Sequence, residues 1–158
     1  MSRARLWLHV AALVAPLAAA GAWMLVMREA SLSSGFGGFV FFGIGCVAVV
    51  SAQVAALLRW RALERRAREG HGAWLTGIGM AAITHLLFGV FADLLLVAAV
   101  GAVGQASDAG KPSDLALQVL FFFIMSVFAL GAITFPATAL LAHWIAALRR
   151  KELFDHVA

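Results

Sequence analysis

The stretch AWLTGIGMAAITHLLFGVFADLLLVAAVGAVG, residues Ala73 to Gly104, decides the fold class. It carries one formal charge, Asp93, in a run longer than the ~20 apolar residues a helix needs to cross the hydrocarbon of a bilayer. Three more segments read the same way: Leu6 to Met27, Phe36 to Leu58 and Leu115 to Leu148. Short polar breaks separate them, at Arg28 to Ser34, Arg59 to Gly72 and Gln105 to Asp114, so neighbouring helices run antiparallel. The pattern predicts an all-α membrane protein, one integral domain over residues 1–158 with four transmembrane helices in an antiparallel bundle.

Composition supports this class. Apolar residues make up 63% of the 158 positions and charged ones 13%, with a mean hydropathy of +0.95. Soluble domains sit near half apolar and a quarter charged. Too little polar surface is present to cover a water-soluble particle, whereas a lipid-facing surface needs none. The first segment has the basic flank and small residues of a signal peptide, but its apolar run exceeds the ~7–15 residues of a signal core. It is expected to be a retained helix.

Charge distribution predicts orientation. Arg3, Arg5, Arg59, Arg61, Arg65, Arg66, Arg68, Arg149, Arg150 and Lys151 fall on one side of the predicted helices, and only Arg28 and Lys111 on the other. Basic flanks stay cytoplasmic, so both termini and the 59–72 link are expected inside, as in a bacterial inner membrane. Trp7, Trp60, Trp74 and Trp144 map to the same end, where indole rings favour the interface. The net charge of +4 thus reads as topology rather than as a nucleic-acid surface.

The third and fourth segments exceed a bilayer's thickness and must tilt, kink or project into water. Ser113-Asp114 predicts a helix start, with the acid at the positive end of the dipole. Pro136 removes an N–H and frees the Ala132 carbonyl, a candidate hinge, and Pro16 disturbs the first helix in the same way. The link Arg59 to Glu69 predicts a helical extension with Glu64 and Arg68 four residues apart. Its arginines Arg59, Arg61, Arg65, Arg66 and Arg68 are candidates for anionic lipid or an acidic partner, but the favoured reading is a topology anchor, because the positive-inside rule already accounts for them.

Polar residues inside the apolar runs are the candidate site residues, because polarity there is costly. His9, Gln53 and His143 fall in one layer ~6–9 Å below the cytoplasmic surface, and His85 near mid-bilayer. Asp93 lies ~30 Å from the cytoplasmic end, level with Arg28, and the two form a candidate ion pair, a clamp or a proton or cation site. His85 belongs to the row Ala73, Gly77, Ala81, His85, Gly89, Asp93, whose small residues form a groove for close helix packing. Its expected partners are Thr134, Thr138 or the carbonyl freed by Pro136.

Ala4 to His9 and Leu58 to Arg61 resemble the first helix and second-helix exit of the four-helix cytochrome b561 type. That resemblance implies haem held by paired histidines. The second segment contains no histidine, so the ligand set is not completed on that pattern. Small multidrug exporters also have four helices but depend on a glutamate within the first, and here the first acidic residue is Glu29, at its outer end. No nucleophile–base pairing, Gly-rich phosphate loop or HExxH motif occurs, and the single Cys46 builds no thiol cluster.

The expected function is therefore a non-enzymatic accessory or structural subunit, without catalytic or metal-binding residues or a predicted cofactor. It would pack in a homo-oligomer or larger complex through the glycines Gly35, Gly37, Gly38, Gly43 and Gly45 and Gly72, Gly77 and Gly79. A small proton-coupled carrier using His85 and Asp93 is the alternative, and a haem- or quinone-linked electron carrier a further one.

Overall fold

A computed structural model describes the backbone of residues 2–26, 35–102 and 112–155, and the side chains of residues 2–22, 43–98 and 114–154. Among the described residues every regular element is an α-helix: α1 (Arg3–Val26), α2 (Gly35–Glu69), α3 (Trp74–Ala102) and α4 (Pro112–Asp155). Each contains a segment long and apolar enough to cross a membrane.

The helix ends follow from local chemistry. Ser2 caps α1, its hydroxyl accepting the Arg5 N–H at 3.2 Å, one of the donors that lack an intrahelical partner. At the far end of α2, Gly70 adopts a φ of 72°, a left-handed conformation that glycine enters without a Cβ clash. The His71 N–H then reaches the Arg66 carbonyl and the Gly70 N–H the Ala67 carbonyl, the paired bonds of a Schellman cap. The α4 helix begins on Pro112, whose missing N–H costs nothing at a first helical position, with Asp114 in the first turn.

Two helices extend past their apolar segments. The α2 helix continues from Leu58 through the arginine-rich stretch to Glu69, and α4 continues from Leu148 to Asp155. Pro16 and Pro136 both lie inside continuous helices, so neither proline ends its element.

Specific contacts set the bundle's directions. Gly77 of α3 meets Thr138 and Ala139 of α4, and Gly89 meets Val119 and Phe123, so the two helices are antiparallel. Gly43 against Leu95 and Arg59 against Gly79 make α2 and α3 antiparallel as well. The α3–α4 contact is the most extensive, whereas α1 rests mainly on α2 and touches α4 less.

The buried core gathers where the chain's N-terminus, the α2–α3 link and the end of α4 meet, around Ala4, Leu8, Trp60, Leu63, Met80 and Ile145. Elsewhere large apolar side chains point outward, among them Phe128 at 83% exposure and Ile133 at 69%. Such a surface is costly in water and would carry no such cost against lipid.

Candidate functional site

The α3 row runs straight into α4. Ala73, Gly77, Ala81, His85, Gly89 and Asp93 are all buried. A Cβ on Gly77 would collide with the Thr138 carbonyl oxygen and the Ala139 backbone, and one on Gly89 would stand 2.7 Å from the Val119 carbonyl oxygen. Small residues thus let two backbones approach on both sides of His85. Gly77 and Gly89 are thereby used within the chain.

His85 fills the space between those contacts. Its Nδ1 lies 3.0 Å from Ser126 Oγ, its Nε2 2.7 Å from Thr134 Oγ1, and its ring stacks on Phe135 with centroids 5.6 Å apart. The imidazole therefore spans two residues of α4 that are eight positions, or ~12 Å of helical rise, apart. With the Ser126 hydroxyl donating to the Phe123 carbonyl at 2.9 Å, Ser126 accepts from His85 Nδ1–H, and in that tautomer of a neutral ring Nε2 accepts from the Thr134 hydroxyl. Both ring nitrogens are satisfied within the α3–α4 interface.

Thr138 donates instead to the carbonyls of Thr134 and Phe135 on its own helix. Ser126 is the partner that the sequence reading did not single out. Its only signal was a hydroxyl in an otherwise apolar run of α4.

The predicted layer of His9, Gln53 and His143 is divided between two interfaces. His9 Nδ1 lies 2.8 Å from Gln53 Oε1, and Gln53 Nε2 donates to the His9 carbonyl at 2.9 Å. Since an amide oxygen only accepts, His9 Nδ1 carries the proton. Gln53 thus clasps α1 to α2 through both ends of its amide. His143 stacks on Trp74, centroids 4.7 Å apart, and joins α4 to α3. The two imidazoles of this layer therefore serve different helix pairs.

At the same end, Trp7 meets Trp144 edge to face at 6.3 Å, and the Arg5 guanidinium lies over the Trp60 ring. Arg149 donates to Glu64 at 2.7 Å and to Glu152 at 3.1 Å, and Glu152 accepts the Ala4 N–H at 3.0 Å. A carboxylate at the start of α1 also complements the positive end of that helix dipole. Hydrogen bonding to Arg149 holds the Glu64 carboxyl below its ordinary range, against the opposing effect of burial. Glu64 also meets the predicted Arg68, at a longer 3.5 Å.

Asp93 is 4% exposed, and its Oδ1 is buried without a hydrogen-bond partner among the described residues. Arg28, its expected partner, lies outside the described residues. The surroundings of Gly35, Gly37 and Gly38 lie outside them too. One turn beyond Asp93, Leu96 joins Leu117, Gln118, Phe121 and Phe122 around an open, mostly apolar depression between α3 and α4. Among the described residues no group of three or more His, Cys, Asp or Glu side chains is placed to hold a metal ion.

No protein-family model, curated protein or solved structure matches this chain.

Proposed function

We propose that this protein is a small integral membrane subunit of a bacterial inner membrane, with both termini and the α2–α3 link in the cytoplasm. It works without catalysis, as an accessory or structural component of a homo-oligomer or larger membrane complex. The observation that carries this reading is His85, whose two ring nitrogens are bonded to Ser126 and Thr134 across α3 and α4. The Gln53 clasp on His9 is spent in the same way. Costly intramembrane polarity goes into holding the chain's own helices together, while large apolar residues face outward to lipid or to other subunits. Orientation is supported by ten basic residues at one end against Arg28 and Lys111 at the other.

Native mass spectrometry of the protein gently extracted from its own membrane tests the reading. A defined assembly, with itself or with foreign subunits, is the expected result. A monomer whose proteoliposomes carry out proton-coupled uptake would overturn it.

One observation favours the carrier reading: Asp93, buried with an Oδ1 that has no hydrogen-bond partner among the described residues, is the kind of intramembrane carboxylate that a proton or cation pathway uses. That reading requires Asp93→Asn and His85→Ala to abolish transport while the chain still folds, with Pro136 as the hinge.

A further inference from the structure

We propose that Arg59 and Gly79 form a seat for the phosphodiester of one anionic phospholipid, at the cytoplasmic end of the contact between α2 and α3. The guanidinium of Arg59 lies against Gly79: its Nη2, Cζ and Nε stand 3.0, 3.3 and 3.5 Å from the point a Cβ on that glycine would occupy. Three atoms at nearly equal distance mean that the plane of the group is laid over the glycine. A Cβ there would make the guanidinium give way by a few tenths of an ångström.

Among the described residues the seated guanidinium meets no anion, and its buried Nε has no hydrogen-bond partner. The acids described at this end are committed elsewhere, Glu64 to Arg149 and Arg68, Glu152 to Arg149, and Glu69 to His71. Arg5 also has a covered Nε without a hydrogen-bond partner among the described residues, but its guanidinium rests over Trp60. A partly desolvated guanidinium favours an oxyanion, and phosphate oxygens match its fork of donors in a way that a lysine ammonium does not.

The surroundings select a lipid over a soluble phosphate. Leu58, next to Arg59, and Ile78, next to Gly79, are 61% and 42% exposed, and Leu75 is 74% exposed. This apolar surface suits acyl chains. Gly79 lies five residues beyond Trp74, ~7.5 Å along α3, a depth from which an arginine reaches the headgroup layer. The neighbouring Arg61, Arg65, Arg66 and Arg68 are exposed and give the diffuse field that draws anionic lipid to this leaflet.

The site rests on the bilayer-spanning reading above, and one preparation separates the two. Membranes containing the full chain are washed with carbonate and solubilised, and retained phosphatidylglycerol is counted by native mass spectrometry against phosphatidylcholine. Wild type is expected to keep one phosphatidylglycerol per chain. Arg59→Lys and Gly79→Ala, which both preserve charge, should each weaken retention about tenfold, the scale of one lost bidentate contact. Arg65→Gln, which removes an exposed charge, should weaken it less than either.

Unchanged retention in a folded Gly79→Ala or Arg59→Lys variant, or an equal loss in Arg65→Gln, would reduce the site to a diffuse basic face and overturn the proposal. Displacement of the lipid by excess inorganic phosphate would overturn it in favour of a soluble ligand. A chain washed out of the membrane by carbonate sinks the bilayer reading and the site with it, whereas a membrane-retained chain without lipid preference sinks the site alone.

Discussion

Arg149 of α4 donates to the Glu64 carboxylate of α2 at 2.7 Å, across 85 residues of chain. Both groups are about four-fifths buried and belong to stretches that extend past the apolar segments, so the pair joins the arginine-rich ends of two parallel helices. Glu152 extends the link to the Ala4 N–H of α1. Three of the four helices are thereby tied at one point.

This pair has a pH signature. Hydrogen bonding to Arg149 lowers the folded-state value of Glu64 below its ordinary 4.5. A depressed carboxyl contributes stability that is present above its unfolded value and lost as pH falls through the folded one. Arg149→Met should therefore cost up to about 1 kcal/mol at neutral pH, within the range of a partly exposed pair. The difference from wild type should shrink once the pH drops below the ordinary value. Thermal unfolding in detergent at both pH values reads this, and a gap that widens in acid would contradict the pairing.

His85 should couple energetically to α4. Interhelical hydrogen bonds in membranes average ~0.6 kcal/mol and reach ~1.7. Replacing His85 by Phe removes both bonds to α4 while leaving an aromatic ring against Phe135. In a double-mutant cycle with Thr134→Val, the interaction energy should fall at about 0.5–2 kcal/mol, the scale of residues in direct contact. Additive effects would mean that the Thr134 bond contributes nothing.

How far these features were legible varies with their physical origin. The four helices were readable because apolar length is a local property of the chain. The α2 extension was readable from Glu64 and Arg68 at helical spacing, yet the stronger partner of Glu64 is Arg149. A count of loop charges assigns arginines to a side of the membrane and says nothing of which carboxylate each one meets. Thr134 stood among the expected partners of His85 because Pro136 drew attention to that turn. Ser126, two turns away, gave no such cue. For the layer of His9, Gln53 and His143, depth was inferred from helical rise, but the choice of partner depends on rotation about each axis. That rotation sends His9 to Gln53 and His143 to Trp74. Sequence spacing along one helix does not contain it.

Glycine positions should separate sharply by surroundings. A Cβ at Gly77 meets the Thr138 carbonyl oxygen and the Ala139 backbone, which cannot rotate aside as a side chain can. Gly77→Ala should force α3 and α4 apart and cost about 1–3 kcal/mol, the usual range for overpacking. At Gly21 of α1 nothing lies within 4 Å of the corresponding point. Gly21→Ala should be neutral or stabilising by up to about 1 kcal/mol through helix propensity alone. Equal losses at the two sites, measured by unfolding in detergent, would place the close contact elsewhere.

The register of α1 on α2 is open to direct chemical test. Two contacts define it: His9 with Gln53, and Ala20 with Gly45, whose added Cβ would stand 3.9 Å from that of Ala20. Between them α1 advances by eleven residues while α2 retreats by eight, as antiparallel helices in contact along one seam must. The 3.9 Å separation lies within the Cβ–Cβ range of a disulfide, about 3.5–4.5 Å. With the exposed Cys46 replaced by Ser, Ala20→Cys combined with Gly45→Cys should cross-link within the chain under mild oxidation, seen as a mobility shift that reductant reverses. Ala20→Cys paired with Val50→Cys, on an exposed part of α2, should not. Because α1 leaves most of its apolar surface outward, Gln53→Leu should slow the Ala20–Gly45 cross-link by freeing the clasp near the start of α1. An unaffected rate would mean that the seam is held by apolar contact alone, and cross-linking at position 50 in preference to 45 would shift the register by more than a turn.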